Sequence, residues 1–246
     1  MTAVVSGSTS GIGEATALAF AAEGADVLIH GRDADAAAKI ASQVRQLGRR
    51  APVVLEDLST LSGITALVDQ AWQLLGGQVD IWINNAGADI LIGQNLHLPY
   101  AERLQRLLDV DLRAAVLCSH LAGARMSEQG SGHIINIGWD QAWNGGTGTE
   151  SGQLFAAAKA GIMGFTKALA RGLAPTVRVN CLAPGWIETG WGEQVSRDLH
   201  EQLRLQTPLQ RWGTPADVAA VAVYLASDAA GFLTGQVLMI NGGVVM

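Results

Sequence analysis

The strongest constraint on this chain is its regular alternation of short apolar runs with longer helical patterns. Residues 3–6, 26–30, 52–55, 81–84, 133–137, 177–182 and 237–240 read as strands. They are rich in Val and Ile and carry no sustained polar–apolar alternation, as expected of parallel strands covered on both faces. Residues 13–22, 35–47, 63–75, 101–126, 153–173 and 215–225 read as helices between them. Strand–helix alternation repeated in this way predicts an α/β fold with a doubly wound parallel sheet. No repeat, linker or composition shift marks a second domain, so residues 1–246 are read as one.

Two segments stand outside the alternation. Residues 138–152 hold Trp139, Asp140, Trp143 and a Gly-Gly-Thr-Gly-Thr stretch, and residues 186–209 read as a loop with a short helix. Both leave the carboxyl ends of strands, where open α/β sheets bind ligands, so both are candidate substrate walls.

Composition narrows the function classes. With 49% hydrophobic and 15% charged residues the chain is not of a disordered type. The net charge of −6, without a basic run, argues against nucleic acid or an anionic membrane surface as partner. The start Thr2-Ala3-Val4-Val5 lacks a basic leader, and no apolar stretch has membrane-spanning length, so the expected location is the cytoplasm. Cys118 and Cys181 have no metal-ligand spacing and read as buried thiols.

The first strand runs into Ser6-Gly7-Ser8-Thr9-Ser10-Gly11-Ile12-Gly13 at the start of the first helix. Glycines there permit a tight turn and close backbone approach to a pyrophosphate, which the helix N-terminus favours. Three further features follow in order. Asp57 stands after the third strand, where it could accept from an adenine amino group. Asn84-Asn85-Ala86-Gly87 ends the fourth strand, and Pro184-Gly185 follows the sixth, with Thr189 four residues on.

On these motifs the chain resembles the short-chain dehydrogenase/reductase family over essentially its whole length. The resemblance implies a seven-stranded Rossmann sheet with helices on both faces. It places a nicotinamide dinucleotide along Gly7, Ser10, Gly11, Ile12, Gly13, Arg32, Asp57, Leu58, Asn85, Ala86, Gly87, Lys159, Pro184, Gly185, Ile187 and Thr189. Lys159 matches the family's ribose-binding lysine, and Thr189 the residue that holds the nicotinamide carboxamide. Members that use NAD carry an acidic residue at the end of the second strand. That place is Gly31 here, followed by Arg32, whose guanidinium could pair with a 2′-phosphate. NADP(H) is therefore favoured over NAD(H), with Asp33 alongside partly offsetting the argument.

The family's catalytic Asn, Ser, Tyr and Lys map onto Asp111, Trp139, Phe155 and Lys159, so only the lysine is retained. Phe155 offers neither a proton nor a hydrogen bond, and the Trp139 indole can donate but cannot shuttle protons. Asp140, Glu150 and Ser151 are candidate substitutes, and Lys159 could act itself or through water with Asp111. The chain has seven Trp, four Phe and two Tyr. Neither Tyr100 nor Tyr224 falls four residues before Lys159, whereas Trp139, Trp143, Trp186 and Trp191 all fall on the two walls, among Asp140, Glu150 and Glu188. Aromatic faces with carboxylates favour a cation, and an iminium-like substrate accepts hydride without a tyrosine proton. The same indoles could instead plug the pocket.

Three readings stay open on the sequence: an oxidoreductase with an atypical site, a catalytically silent cofactor-binding sensor or partner subunit, and lyase or isomerase chemistry with Asp140 or Lys159 as base. The expected partners are a small-molecule substrate and further copies of the chain. A homotetramer or homodimer would pair the two long central helices.

Overall fold

The computed structural model describes all residues except 89, 91, 92 and 191, together with the side chains of 93, 94 and 193. Seven strands form one sheet in the order β3-β2-β1-β4-β5-β6-β7. They are β1 (Thr2–Val5), β2 (Asp26–Gly31), β3 (Val53–Leu55), β4 (Ile81–Asn84), β5 (Gly132–Ile137), β6 (Val177–Pro184) and β7 (Val237–Ile240). Every pairing is parallel. The strand order reverses between β1 and β4, which is where a doubly wound sheet opens its ligand crevice.

The strands are mainly apolar on both faces because the sheet separates two cores. Ala3, Val5, Val27, Ile29, Ile81, Ile83 and Ile135 point into one layer. Their neighbours Val4, Leu28, Trp82 and Ile134 point into the other. The first layer is closed by α1 (Gly11–Ala22), α2 (Ala34–Gln46) and α8 (Pro215–Ala226). The second is closed by α3 (Leu61–Leu74), α5 (Ala115–Gln129) and α6 (Glu150–Leu173).

Local signals set the helix starts. Asp33 accepts from the amides of Asp35 and Ala36 at the head of α2, and Thr60 accepts from Gly63 N at the head of α3. Thr214 and Asp217 form a reciprocal capping box on α8, with Pro215 in its first turn.

The helix expected over residues 101–126 is not regular. It consists of α4 (Tyr100–Leu107), a π-helical segment (Leu108–Ala114) and α5 in unbroken succession. The wider turn shifts the phase of the helix and carries Asp111, 3% exposed, into the interior. The segment over 186–209 contains α7 (Arg197–Gln206), as expected of a loop with a short helix.

Candidate active site

The turn from β1 to α1 is packed so tightly that only glycine fits. Gly7 has φ +64°, and a Cβ there would lie 2.8 Å from the Ala86 Cα. At Gly13 a Cβ would lie 2.1 Å from the Gly7 carbonyl oxygen and 2.4 Å from Asn85 Nδ2. Asn85 Nδ2 donates to the carbonyls of Ser6 (3.1 Å) and Gly7 (3.0 Å). The Ser6 hydroxyl accepts from the amides of Asn85 and Ala86, each at 3.0 Å. Motifs some eighty residues apart in sequence thus form one braced unit.

Ser10 caps α1 from an exposed position, and its side chain makes no capping bond. The first intrahelical amide bond is Glu14 N to Ser10 O. The amides of Gly11, Ile12 and Gly13 therefore have no partner within the helix and sit at its positive end. A Cβ on Gly11 would meet Thr189 at 3.5 Å, so Thr189 overhangs this cradle.

The adenosine side is equally specific. A Cβ at Gly31 would lie 2.4 Å from Thr9 Cγ2. Arg32 is exposed, and Asp33 is engaged in capping α2. Asp57 is exposed and accepts from Ser59 N at 2.9 Å; that bond, with Arg32 nearby, holds its carboxyl below the usual value. Leu58 is buried in the second core layer, leaving its backbone as the part that could face a ligand.

At the carboxyl ends of β4, β5 and β6 lies a cavity of about 360 Å³. It is lined by Ile12, Gly87, Ala88, Asp111, Ile137, Gly138, Trp139, Phe155, Lys159, Pro184, Gly185, Trp186, Ile187 and Thr189. The expected catalytic positions Asp111, Trp139, Phe155 and Lys159 converge here. Lys159 Nζ lies 2.9 Å from Asp111 Oδ1 and donates to the Ile137 carbonyl at 3.1 Å. Asp111 Oδ2 accepts from Ala88 N at 2.7 Å. Trp139 and Phe155 meet edge to face with ring centroids 6.2 Å apart, so Trp139 forms a wall and leaves the cavity open. Ala88 and Ile137 escaped the sequence reading as site residues, and Gly138 entered it only as the first residue of the expected wall; Ile137 ends β5, Gly138 follows it, and Ala88 lies four residues past β4.

The remaining sequence candidates lie elsewhere. Asp140 is fully buried and turned away from the cavity, its carboxylate accepting from Asn241 Nδ2 (3.1 Å) and Gln141 N (2.7 Å). Glu150 and Ser151 both face the buried Arg103, and Glu188 lies 2.9 Å from His200 Nε2. Trp143 is 54% exposed and stacks under Lys167, so it is no part of the wall. Trp191 lies outside the described residues. A larger hollow of about 560 Å³, across Trp186 and against Met239–Gly243, holds none of the expected cofactor or catalytic residues.

Burial pushes the Asp140 carboxyl up to about 6. The native state then binds a proton that the unfolded chain, with the ordinary value of 3.8, releases earlier. Its contribution to stability is complete below pH 4 and falls as the pH rises toward 6. Between pH 4 and pH 7 the wild type should lose up to about 3 kcal/mol relative to Asp140→Asn in urea unfolding. Parallel pH curves for the two proteins would show that this carboxyl titrates normally.

The glycine cradle, the α1 amides without a partner in the helix and the overhanging Thr189 fit a nicotinamide dinucleotide. A family model described as enoyl-(acyl carrier protein) reductase matches residues 7–245. The 3-oxoacyl-(acyl-carrier-protein) reductase FabG of Aquifex aeolicus is 35% identical over 245 residues, covering 98% of this chain and 96% of that protein. Two solved structures superpose over 99% of the chain. One is a 7α-hydroxysteroid dehydrogenase complexed with NADH and 7-oxo glycochenodeoxycholic acid (TM-score 0.90, 30% identity, 94% of that chain). The other is a gluconate 5-dehydrogenase from Burkholderia cenocepacia J2315 with NADP and tartrate (TM-score 0.87, 28% identity, 94% of that chain).

Proposed function

The chain belongs to the short-chain dehydrogenase/reductase family, and from that premise we propose an NADP(H)-preferring oxidoreductase with a non-standard active site that acts on a C=N or related small-molecule substrate. The bound nicotinamide supplies or takes up the hydride. Gly7, Ser10, Gly11, Ile12 and Gly13 would hold its pyrophosphate, Lys159 its ribose and Thr189 its carboxamide. Arg32 is exposed beside Gly31, with Asp33 already engaged in capping α2, and this supports pairing with a 2′-phosphate.

One observation carries the substrate reading. Among the described residues that line the cavity, Asp111 and Lys159 are the only titratable groups, and a phenyl ring stands four residues before the lysine. Reduction of a ketone needs a proton placed on oxygen, and general acids for that step contribute about 10²–10⁴-fold. Phe155 cannot provide one. An iminium carbon becomes a neutral amine on receiving hydride, with no proton to transfer. The Trp139 and Trp186 rings suit that positive charge, and Asp111 offsets the Lys159 ammonium that would otherwise repel it.

The test is loss of nicotinamide absorbance over matched panels of cyclic imines and ketones, with NADPH and NADH. Imines should turn over at least about tenfold faster than the ketones. NADPH should bind more tightly than NADH, and Trp139→Ser should slow the reaction. If both cofactors bind and nothing on either panel is reduced, the enzyme reading fails. The silent cofactor-binding reading, which the apolar Phe155 also suits, then takes its place. The exposed face of α6 is built from small residues, including Ala157, Ala160, Gly161 and Gly164. It suits the close helix packing of a homodimer or homotetramer.

A further inference from the structure

His30 is an imidazole near the carboxyl end of β2, 3% exposed after the apolar run Val27–Ile29, with every polar atom engaged. Its Nδ1 accepts from the Gly7 amide at 3.0 Å. That bond fixes the tautomer, so Nε2 carries the hydrogen and donates to the Glu56 carbonyl at 3.2 Å. Its own amide donates to the Ser8 hydroxyl at 2.9 Å, and its carbonyl accepts from Ser8 N at 2.9 Å. Burial holds the ring well below its ordinary value, at about 4, so it stays neutral and keeps one donor and one acceptor at physiological pH.

The bonds converge on three segments. Gly7 and Ser8 belong to the glycine-rich turn. Gly31 and Arg32 follow His30 directly, and Asp57 and Leu58 follow Glu56. An apolar side chain would fill the volume but strand the Gly7 N–H and the Glu56 carbonyl. We propose that His30 is a positioning residue that ties the pyrophosphate cradle to both adenosine-side loops and so sets affinity for the dinucleotide. The proposal rests on the dinucleotide reading of the cradle.

Three variants separate the contacts. His30→Asn keeps an acceptor near the Nδ1 position but cannot reach Glu56. His30→Gln reaches toward Glu56 and leaves the Gly7 amide unpaired, and His30→Leu loses both. Direct titration with NADPH and with adenosine 2′,5′-bisphosphate, alongside the melting temperature without ligand, reads the outcome. His30→Leu and His30→Gln should bind both ligands about tenfold more weakly than wild type, and His30→Asn within about threefold of it. If all three bind as the wild type does, or if His30→Gln binds better than His30→Asn, the role assigned to His30 is overturned. Should His30→Leu fail to fold, the Asn–Gln contrast still decides. A wild type that binds neither NADPH nor NADH would instead sink the dinucleotide reading itself.

Discussion

Asp111→Ala should cost about 3–5 kcal/mol of unfolding free energy at pH 7, an effect large enough to leave little of a normal domain's stability. The side chains of Asp111 and Lys159 are 2% and 11% exposed, so the pair has almost no water to fall back on. Removing the carboxylate leaves an ammonium in the interior with the Ile137 carbonyl as its one remaining bond among the described residues. It also strips the Ala88 amide of its acceptor. Lys159→Met in the Asp111→Ala background removes the stranded charge and should restore much of the loss. Urea unfolding of the two single variants and the double variant forms the cycle. If Asp111→Ala and the double variant are equally unstable, the pair's charge is not what the fold depends on. The same pair bears on chemistry, because it makes the one charged spot among the described cavity residues neutral overall. Asp111→Asn keeps an acceptor for Ala88 yet leaves the lysine uncompensated, so it should weaken binding of a cationic substrate more than it weakens the fold.

Gly13→Ala is the second large effect, and it acts on the cofactor. A methyl group at this position would lie 2.1 Å from the Gly7 oxygen and 2.4 Å from Asn85 Nδ2. The obstacle is backbone, and that oxygen is already held by Asn85, so no side-chain rotation relieves the overlap. The turn has to open. The expected cost is about 2–3 kcal/mol in stability, together with a loss of dinucleotide affinity on the order of a hundredfold. Gly172→Ala, outside the small-residue stretch at 157–164, is the matching control. Nothing lies within 4 Å of that position, which is inside α6, and alanine there should stabilise by about 0.5–1 kcal/mol. Thermal melting and cofactor titration of the two variants check both halves. Unchanged cofactor affinity in Gly13→Ala would mean that the turn is not the pyrophosphate cradle.

The sheet was legible in the sequence because its central strands are buried on both faces. A run such as Ala3-Val4-Val5 has no polar side to confuse its reading, and the intervening helices leave parallel pairing as the simple solution. The glycine cradle was legible for a related reason, since close backbone approach leaves a mark that only glycine satisfies. Side-chain direction outside regular elements left no such mark. Asp140 follows Trp139 directly, yet one faces the cavity and the other Asn241, a hundred residues later in the chain. Nothing in the sequence sets Arg103 apart from other helix residues, yet it is 6% exposed and holds Glu150 and Ser151 away from the site. His30 left even less trace, for a single histidine in an apolar strand resembles core filler until its partners are located.

The π-helical segment at Leu108–Ala114 makes the site depend on the length of the chain as well as on its residues. One extra residue in a helix turns everything beyond it by about 100° relative to what precedes it. Asp111 meets Lys159 because of that phase, which no point substitution within the segment supplies or removes by itself. Deleting a single codon there would return the helix to regular winding and swing the carboxylate off the lysine, with the amino-acid composition of the site almost unchanged. A one-residue deletion would thus undo the Asp111–Lys159 pair while leaving every other cavity-lining residue in the chain.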